Sequence, residues 1–473
     1  MSQNHDICSM TATEMAAAIR AGHLSATETV SAHLARIENV NSKVNAIITL
    51  HAEQAIAAAK AADEAQAHGA TLGPLHGLPV AHKDLLLTKG MRTTFGSKIY
   101  EHFVPTENSL IVERQLQAGA ISLGKTNTPE FGAGSQTFNA VFGATRNPYD
   151  LSRTCGGSSG GSAVALATGM VALADGTDMF GSLRCPANYT NTVGLRPSVG
   201  RVPQIPEHNG WDSLSVSGPM ARTVKDIALH LSVMAGPDAR DPLSITEDGA
   251  RFRAPLERSL KGVRIAFSPT MGGLPIDKQV SQAIDAQRHV FQDLGCIVED
   301  ACPDFRHAHE IAMALRAYSF ELRLGPIMNQ HPGVMKSTIV RDIEAGRRLS
   351  ASQLAQVEKL RTALFQRVHH FMQTYEFMVF PVNQVPPFPI EQEYVTEIDG
   401  VKMESYIDWM RSLYYVTTTT HPAISVPCGF TETGLPVGVQ IVGRHRCEFE
   451  LLQMAYAFEQ ATQIGLRRPA ILD

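Results

Sequence analysis

The segment at residues 155–162 reads CGGSSGGS and carries almost no side chain that could pack in a hydrophobic core. It continues directly into AVALATGMVALADGTD, an apolar pattern typical of a helix followed by a strand. Gly/Ser linkers are flexible and separate independent units, so this position argues against a linker. Backbone amides inside a core need specific hydrogen-bond partners. The segment is therefore either a phosphate-binding loop or part of a serine-based catalytic centre.

A phosphate-binding loop is disfavoured by its surroundings. Residues 119–126 match the pattern G-x-x-x-x-G-K-[ST], which needs a strand before the first glycine and a helix after the last residue. Here the residues before Gly119 are helical in pattern, and residues 120–123 are apolar and strand-like. Pro129 delays any following helix, and residues 155–162 contain no lysine. The catalytic interpretation is therefore preferred.

The composition limits the classes of partner. The chain has 473 residues, of which 44% are hydrophobic and 18% charged, as in ordered globular proteins. Its net charge is −5 with no basic stripe, so we expect no nucleic-acid partner. Seven cysteines without a CxxC pair indicate free thiols and a reducing compartment, the cytoplasm. The N-terminus lacks a signal-peptide pattern, and no apolar run of about 18 residues predicts a membrane span.

Strand and helix patterns alternate along the whole chain. Capping boxes beginning at Thr11 and Ser25 predict two N-terminal helices. An alanine-rich helix should end at Gly69. Further helices are predicted at 109–118, 277–294 and 449–461, and strands at 80–83, 120–123, 263–267, 297–298, 377–382, 423–426 and 437–442. This alternation predicts one large α/β domain with a mixed sheet and a loop at 237–262.

Several long segments resemble the amidase signature family of serine amidohydrolases. They are GPLHGLPVAHKDLLL, NPYDLSRT, GGSSGGSAVALATGMVALADGTD, GSLRCPA, GLRPSVGRVP, SGPMARTVKDIALHLSVMAGPDARDPLS, HPAISVPCGF and GLPVGVQIVG. The resemblance covers most of the sequence, and motifs of this length and order are specific. It implies a single domain over 1–473, with a helical part at about 1–70, a signature core at about 71–235 and a C-terminal part at about 236–473 that completes the sheet. The implied sheet is mixed, twisted and covered by helices on both sides.

The resemblance also implies a Ser–cis-Ser–Lys triad. The matching residues are Lys83 in AHKDL, Ser158 in GGSSGG and the nucleophile Ser182 in FGSLR, with a cis peptide before Ser158. A serine hydroxyl needs a base, and no histidine stands in a convincing triad context. Lysine serves only if burial lowers its pKa, and the apolar segment LPVAHKDLLL makes such burial plausible for Lys83. Ser158 then relays protons, and the same relay can protonate the leaving nitrogen.

The oxyanion hole is expected from the backbone amides of Met179, Phe180, Gly181 and Ser182. The family usually has TGGS where this chain has MFGS. Phenylalanine rarely takes a positive φ, and its ring is expected to fill part of the pocket. This departure leaves the substrate class open more than the reaction type.

Other residues have a supporting or a structural interpretation. Asp178 and Arg184 are expected to hold the turn before the nucleophile, or to form a plain salt bridge. Gly132 and Gly134 match a pocket-wall segment of the family but could equally serve as turn residues. Ser159 is expected to support the site through a hydrogen bond.

The remaining candidates favour structural roles. Cys155 is expected to be a packed thiol, and His82 to point away from Lys83. Aromatic residues expected in the core, or in part around an apolar pocket, are Trp211, Trp409, Tyr414 and Tyr415. Histidines that form no ligand pattern, so that we expect no metal, are His307, His309, His369 and His370.

The leading hypothesis is an amidohydrolase for small or hydrophobic carboxamides, working through an acyl-enzyme on Ser182 without a cofactor. A carbamate, urethane or ester hydrolase of the same mechanism is a close alternative. The glutaminase component of a tRNA-dependent amidotransferase and a non-catalytic scaffold are the others. The departure from TGGS to MFGS at residues 179–182 argues against the amidotransferase component. The presence of all three triad residues argues against a non-catalytic scaffold. The expected partner is a small-molecule amide or carbamate, and a homodimer stays open as an assembly.

Overall fold

Eleven strands form one mixed sheet in the computed structural model, which describes residues 7–206 and 209–472. The strands of the chain are β1 (Ile47–Leu50), β2 (Pro79–Lys83), β3 (Ile121–Thr126), β4 (Phe138–Asn139), β5 (Gly143–Ala144), β6 (Arg146–Asn147), β7 (Asp150–Thr154), β8 (Leu173–Asp178), β9 (Val193–Arg196), β10 (Val216–Ala221), β11 (Arg264–Phe267), β12 (Ile297–Asp300), β13 (Phe377–Pro381), β14 (Glu397–Ile398), β15 (Val401–Lys402), β16 (Ala423–Phe430) and β17 (Pro436–Gly443).

The order in the large sheet is β1-β3-β2-β8-β10-β9-β16-β17-β13-β11-β12. Strand β2 runs parallel to both β3 and β8, and β11 runs parallel to β12 and β13. The other neighbours are antiparallel. The predicted α/β class with a mixed sheet is therefore confirmed, and the parallel group around β2 carries Lys83 at its carboxyl end.

Fourteen α-helices accompany the strands in the described part of the chain. They are α1 (Ala12–Arg20), α2 (Ala26–Val44), α3 (Ala52–Ala67), α4 (Leu110–Gln117), α5 (Gly160–Ala167), α6 (Arg184–Tyr189), α7 (Val224–Met234), α8 (Lys278–Asp285), α9 (Arg288–Asp293), α10 (Ala308–Gln330), α11 (Ser337–Arg347), α12 (Ala351–Thr374), α13 (Arg411–Thr418) and α14 (Glu448–Thr462).

Helices cover both faces of the sheet because successive strand residues point to opposite sides. Val80 packs in one core cluster with α1, α4, α7 and α14, whereas Ala81 packs in another with α2, α3 and α5. Along β13, Val379 joins the first cluster, whereas Met378 contacts α10 and α12. Full burial of such apolar side chains contributes about 1.5–3 kcal/mol each. The central strands are therefore held from two sides.

The N-terminal helices begin as the sequence predicts. Thr11 and Ser25 each accept a hydrogen bond from the backbone three residues on, and Glu14 and Glu28 complete the two capping boxes. Such caps satisfy amides that a helix leaves unpaired. The alanine-rich helix α3 ends at Ala67, and Gly69 follows with a φ of 74°. These predictions are confirmed.

Two predicted elements differ from the structure. The helix expected over 277–294 is two helices, α8 and α9. The amide of Gln287 donates to Ile284 three residues back, which interrupts the four-residue ladder of an α-helix. The strand expected at 120–123 extends to Thr126 and includes the glycine and lysine of the phosphate-loop pattern. The buried amine of Lys125 contacts the carbonyl of Leu86 and lies 2.9 Å from the Thr88 hydroxyl, so this segment is no phosphate loop.

Within the described residues, no helix combines the length and apolar character that crossing a membrane would require. The loop expected at 237–262 contains a short 3₁₀ turn at Gly249–Arg253. The single-domain organisation stays a prediction, although the large sheet takes strands from Ile47 to Gly443.

Candidate active site

A cavity of about 250 Å³ lies beside the residues that follow β2. Ser158, from the loop before α5, and Ser182, from the loop after β8, both line it. Its apolar wall includes Leu85, Leu86, Phe95, Ile111, Phe131, Ile205, Phe320, Ile407 and Met410. The two predicted catalytic serines, 24 residues apart in the chain, therefore share one cavity.

Lys83 is fully buried at the last position of β2. Its Nζ lies 2.7 Å from the Oγ of Ser158. The Oγ of Ser159 and the Oγ1 of Thr177 each lie 2.9 Å from the same nitrogen. Three hydroxyl groups thus fix the position of the amine, and none of them carries a charge.

Burial lowers the pKa of Lys83 to about 7, because the charged form loses its hydration. The negative charges of Asp178 and Asp175 act in the opposite direction and raise the pKa. Burial outweighs them, so a large share of the amine is neutral near pH 7. A neutral amine can take a proton from a hydroxyl group, which an ammonium cannot.

The glycines around Ser158 allow close packing of backbone against backbone. A Cβ at Gly161 would lie 2.3 Å from the Asn127 nitrogen, and one at Gly160 would lie 2.2 Å from the Thr137 Oγ1. Only glycine fits such approaches. The peptide bond between Gly157 and Ser158 is cis, as the resemblance implied. The glycine-rich segment is therefore a tightly packed support for Ser158.

Ser182 is buried, with 8% of its surface exposed, and its carbonyl accepts the amide of Ser159 at 3.2 Å. The backbone turns sharply just before it, where Gly181 takes a φ of 101°. A Cβ at that position would approach Leu413 within 2.5 Å. Glycine is thus required at 181, whereas Phe180 does not take a positive φ. The expected conformational difficulty at Phe180 does not arise.

Asp178 stabilises this turn through hydrogen bonds and salt bridges. Its carboxylate accepts the amides of Gly181 at 2.9 Å and Leu183 at 3.2 Å. It also pairs with the buried guanidinium groups of Arg184 at 3.0 Å and Arg196 at 3.1 Å. Burial alone would raise the pKa of Asp178, but the two arginines hold it well below its usual range. The carboxylate is therefore ionised, and Asp178 makes both kinds of contact, hydrogen bonds to the turn and salt bridges to the two arginines.

The four amides predicted for the oxyanion hole differ in their partners. Gly181 already donates to Asp178. Among the hydrogen bonds of the described residues, none uses the N–H of Met179, Phe180 or Ser182. All three residues line the cavity.

Comparison with known proteins places the chain in a family. The model of the family described as Amidase matches residues 28–452. The chain belongs to the amidase signature family. These enzymes are hydrolases that act on C–N bonds, as the sequence motifs predicted. The relationship extends over nearly the whole length of individual relatives.

The amidase is 35% identical to an acylamidase of Rhodococcus erythropolis, over 98% of this chain and 97% of the relative. It is also 35% identical to one component of the glutamyl-tRNA(Gln) amidotransferase of Chromohalobacter salexigens, over 97% of this chain and 98% of the relative. Among solved structures, a bacterial aryl acylamidase of the amidase signature family superposes with a TM-score of 0.90 at 27% identity, covering 97% of this chain and 99% of the other. The predicted fold is thereby confirmed.

Two glycines of this amidase, Gly132 and Gly134, line the cavity. Gly132 has a φ of 71°, and a Cβ there would lie 3.5 Å from the Ser158 hydroxyl and 2.8 Å from Leu85. Gly134 also lines the cavity, with Pro129 as its neighbour at 3.4 Å. A side chain at 132 would therefore intrude on the cavity next to Ser158.

Two polar neighbours of Lys83 were not found from the sequence. Thr177 supplies the third hydroxyl around its Nζ, and Asp175 accepts its backbone amide at 2.8 Å. Asp175 also contacts His82 Nδ1 at 2.6 Å and Gln115 at 3.0 Å, so His82 faces away from the cavity as predicted. The sequence did contain a signal for these neighbours, because Asp175 and Thr177 are polar residues two apart in a strand predicted to be buried.

Cys155 and the predicted histidines take no part in the cavity. Burial raises the pKa of the Cys155 thiol to about 12, which fits a packed thiol. His309 contacts the hydroxyl of Tyr414 at 2.9 Å. In the two described ranges, no group of three acidic, histidine or cysteine side chains could hold a metal ion.

The aromatic candidates divide between core and surface. Trp409 and Tyr414 are buried in a cluster that also holds Phe180, whose ring centroid lies 5.0 Å from that of Tyr414. Tyr415 is half-buried beside them. The expectation is wrong for Trp211, which is 72% exposed because it lies in the turn before β10 and not on a strand or helix.

Proposed function

We propose that this amidase cleaves small or hydrophobic carboxamides through an acyl-enzyme on Ser182. One observation carries the proposal: the buried amine of Lys83 lies 2.7 Å from the Ser158 hydroxyl beside the cavity that Ser182 lines. A base, a relay hydroxyl and a second serine are the groups that such a reaction needs.

The proposed reaction begins with neutral Lys83. The amine takes the proton of Ser158 while Ser158 takes that of Ser182, and the Ser182 oxygen attacks the carbonyl carbon of the amide. The negative charge then moves to the carbonyl oxygen. The N–H groups of Met179, Phe180 and Ser182 are the proposed donors to this oxygen.

The proton returns along the same path. The lysine ammonium gives it back through Ser158 to the leaving nitrogen, and the C–N bond breaks as the amine departs. A water molecule then enters, loses a proton to the relay and attacks the acyl carbon. Release of the acid restores Ser182 and neutral Lys83.

The apolar part of the cavity wall supports a substrate that carries a hydrocarbon group. Its leucine, isoleucine and phenylalanine side chains favour hydrocarbon groups, which gain about 25 cal/mol for each Å² removed from water. The similarity to an acylamidase points in the same direction. Carbamates and esters present the same carbonyl carbon to Ser182 and are included in the proposal as close variants.

The amidotransferase alternative has support from sequence similarity, but the cavity offers a partner for only one of the two charges of glutamine, its α-carboxylate. Glutamine carries an α-ammonium group, which needs a carboxylate partner when it leaves water. No acidic residue occurs among the described residues that line the cavity. We therefore propose that the protein acts as an amidase without partner proteins. Release of ammonia from glutamine only in the presence of added partner proteins would favour the alternative.

We also propose that the protein works in the cytoplasm. Cys155, Cys185, Cys296, Cys302, Cys428 and Cys447 are free thiols, which fits a reducing compartment. A homodimer stays a prediction that sedimentation can test.

The proposal can be tested by active-site labelling and a substrate screen. A fluorophosphonate should modify Ser182, as tryptic mass spectrometry would show, and Ser182→Ala should stay unlabelled. The screen compares aliphatic amides, anilides, carbamates and esters, with Ser182→Ala as the blank. A protein that resists the label at pH 9 and hydrolyses none of these compounds would instead be a scaffold.

A further inference from the structure

Helix α10 presents two arginines to the cavity. Arg316 and Arg323 are seven residues apart, which is two helical turns, and both line the cavity with Phe320 between them. Neither belongs to the segments that resemble the amidase signature. The catalytic steps proposed above use neither guanidinium group, so the presence of both at the cavity needs its own explanation.

The guanidinium of Arg316 is held by several contacts, but its Nη1 has no strong acceptor among the described residues. Its Nε lies 3.0 Å from a carboxylate oxygen of Asp342, and its Nη2 contacts the hydroxyl of Tyr406. The guanidinium lies 4.1 Å from the ring centroid of Phe320. The acceptor nearest to Nη1 is the sulfur of Met179, at 3.9 Å. Thioether sulfur is a weak acceptor, so Nη1 keeps an unused donor beside the turn that precedes Ser182.

Arg323 supplies a charge that no ion pair among the described residues balances. It is half-buried, and no ion pair or side-chain hydrogen bond among the described residues involves it. Arg316 is already paired with Asp342, whereas the described cavity lining contains no acidic residue that could pair with Arg323. The described lining of the cavity therefore carries one net positive charge, and an anion that enters the cavity finds no competing counter-charge in that lining.

We infer that the cavity accepts apolar amides that carry a carboxylate, with Arg323 as the charge partner and Nη1 of Arg316 as a hydrogen-bond donor. A guanidinium matches a carboxylate in shape as well as in charge. This inference rests on the proposed amidase function and names the substrate class for that same site.

The test separates binding from turnover. Ser182→Ala protein is titrated with 4-acetamidobenzoate and with 4-nitroacetanilide, which has the same shape but no charge. The same titration is repeated with Arg323→Gln added. We expect Arg323→Gln to weaken the binding of the carboxylate about tenfold more than that of the nitro compound, and Arg323→Lys to recover part of the loss.

A matched control removes the same charge elsewhere. Arg348 is exposed at the end of α11 and does not line the cavity. Arg348→Gln should therefore change neither affinity. Equal effects of Arg323→Gln on both compounds, or the same carboxylate selectivity loss in Arg348→Gln, would overturn the inference.

Turnover by enzyme that retains Ser182 then shows whether the carboxylate of the substrate belongs on its amine side or its acyl side. The pairs are 4-acetamidobenzoate against 4-nitroacetanilide for the amine side, and succinanilate against pentananilide for the acyl side. The ratio of kcat/KM between the members of one pair should fall about tenfold in Arg323→Gln. If the neutral compounds turn over but both ratios stay unchanged, the inference fails alone. If no compound turns over, the amidase proposal fails, and the titration still shows whether the cavity selects carboxylates.

Discussion

The Nζ of Lys83 lies 2.7 Å from the Oγ of Ser158, and the lysine side chain is fully buried. Lys83 ends a buried strand, whereas Ser158 lies in a glycine-rich loop 75 residues later. Their contact joins a base with a depressed pKa to a hydroxyl that lines the cavity. The following predictions test what this contact does.

The rate should depend on pH through Lys83. Because burial lowers the pKa of Lys83 to about 7, the neutral base is lost as pH falls through 7. We expect kcat/KM for a neutral anilide to fall about tenfold per unit below pH 7 and to level off above about pH 8. Initial rates from about pH 5.5 to 9 measure this. A flat profile would exclude lysine as the base.

Removing either end of the relay should abolish turnover. Lys83→Ala and Ser182→Ala should each lower kcat at least about a thousandfold, because each removes a group on which the others depend. Lys83→Arg should be equally inactive, since a guanidinium stays charged. Circular dichroism checks that the variants fold. Turnover near the native rate in any of them would reject the assignment.

Thr177 should tune the base. Its hydroxyl accepts a hydrogen bond from the Lys83 amine at 2.9 Å and so stabilises the ammonium form. Thr177→Val removes this acceptor, and the midpoint of the pH–rate profile should move about one unit lower. Thr177→Ser, which keeps the hydroxyl, should keep the native midpoint. An unchanged or higher midpoint in Thr177→Val would show that the hydroxyl does not act on the base.

Asp178→Asn should destabilise the fold more than its small size suggests. The substitution leaves Arg184 and Arg196 buried without a counter-charge. Breaking a buried pair in this way costs about 3–5 kcal/mol of unfolding free energy, which urea denaturation measures. Asp293→Asn, at an exposed position, is the control and should stay within about 0.5 kcal/mol. Equal stability of the two variants would contradict the central role of Asp178.

Gly161→Ala should disturb the support of Ser158. The added Cβ would lie 2.3 Å from the backbone nitrogen of Asn127, which cannot move without shifting β3. We expect a loss of about 1–3 kcal/mol in stability together with a lower kcat. Gly429→Ala is the matched control, because its Cβ would meet nothing within 4 Å. Native activity in Gly161→Ala would show that this close contact is not needed.

Local sequence patterns predicted much of the secondary structure because they depend on near neighbours. The capping boxes at Thr11 and Ser25 and the glycine after α3 match the structure. The break between α8 and α9 was missed, because a single three-residue hydrogen bond at Gln287 leaves no mark on the apolar periodicity. The prediction for Trp211 was wrong for a related reason. Its hydrophobicity does not reveal whether other parts of the chain pack against it.

The sequence alone determined the family, the α/β class and the three residues proposed to act together, because long motifs carry them in a constant order. Only the tertiary structure decided how Lys83 is buried, which hydroxyls surround it and which amides at the turn stay free. It also brought Arg323 of α10 to the cavity, although this residue lies far beyond Ser182 in the chain. Desolvation and charge balance depend on atoms that are close in space, and residues distant in sequence supply those atoms.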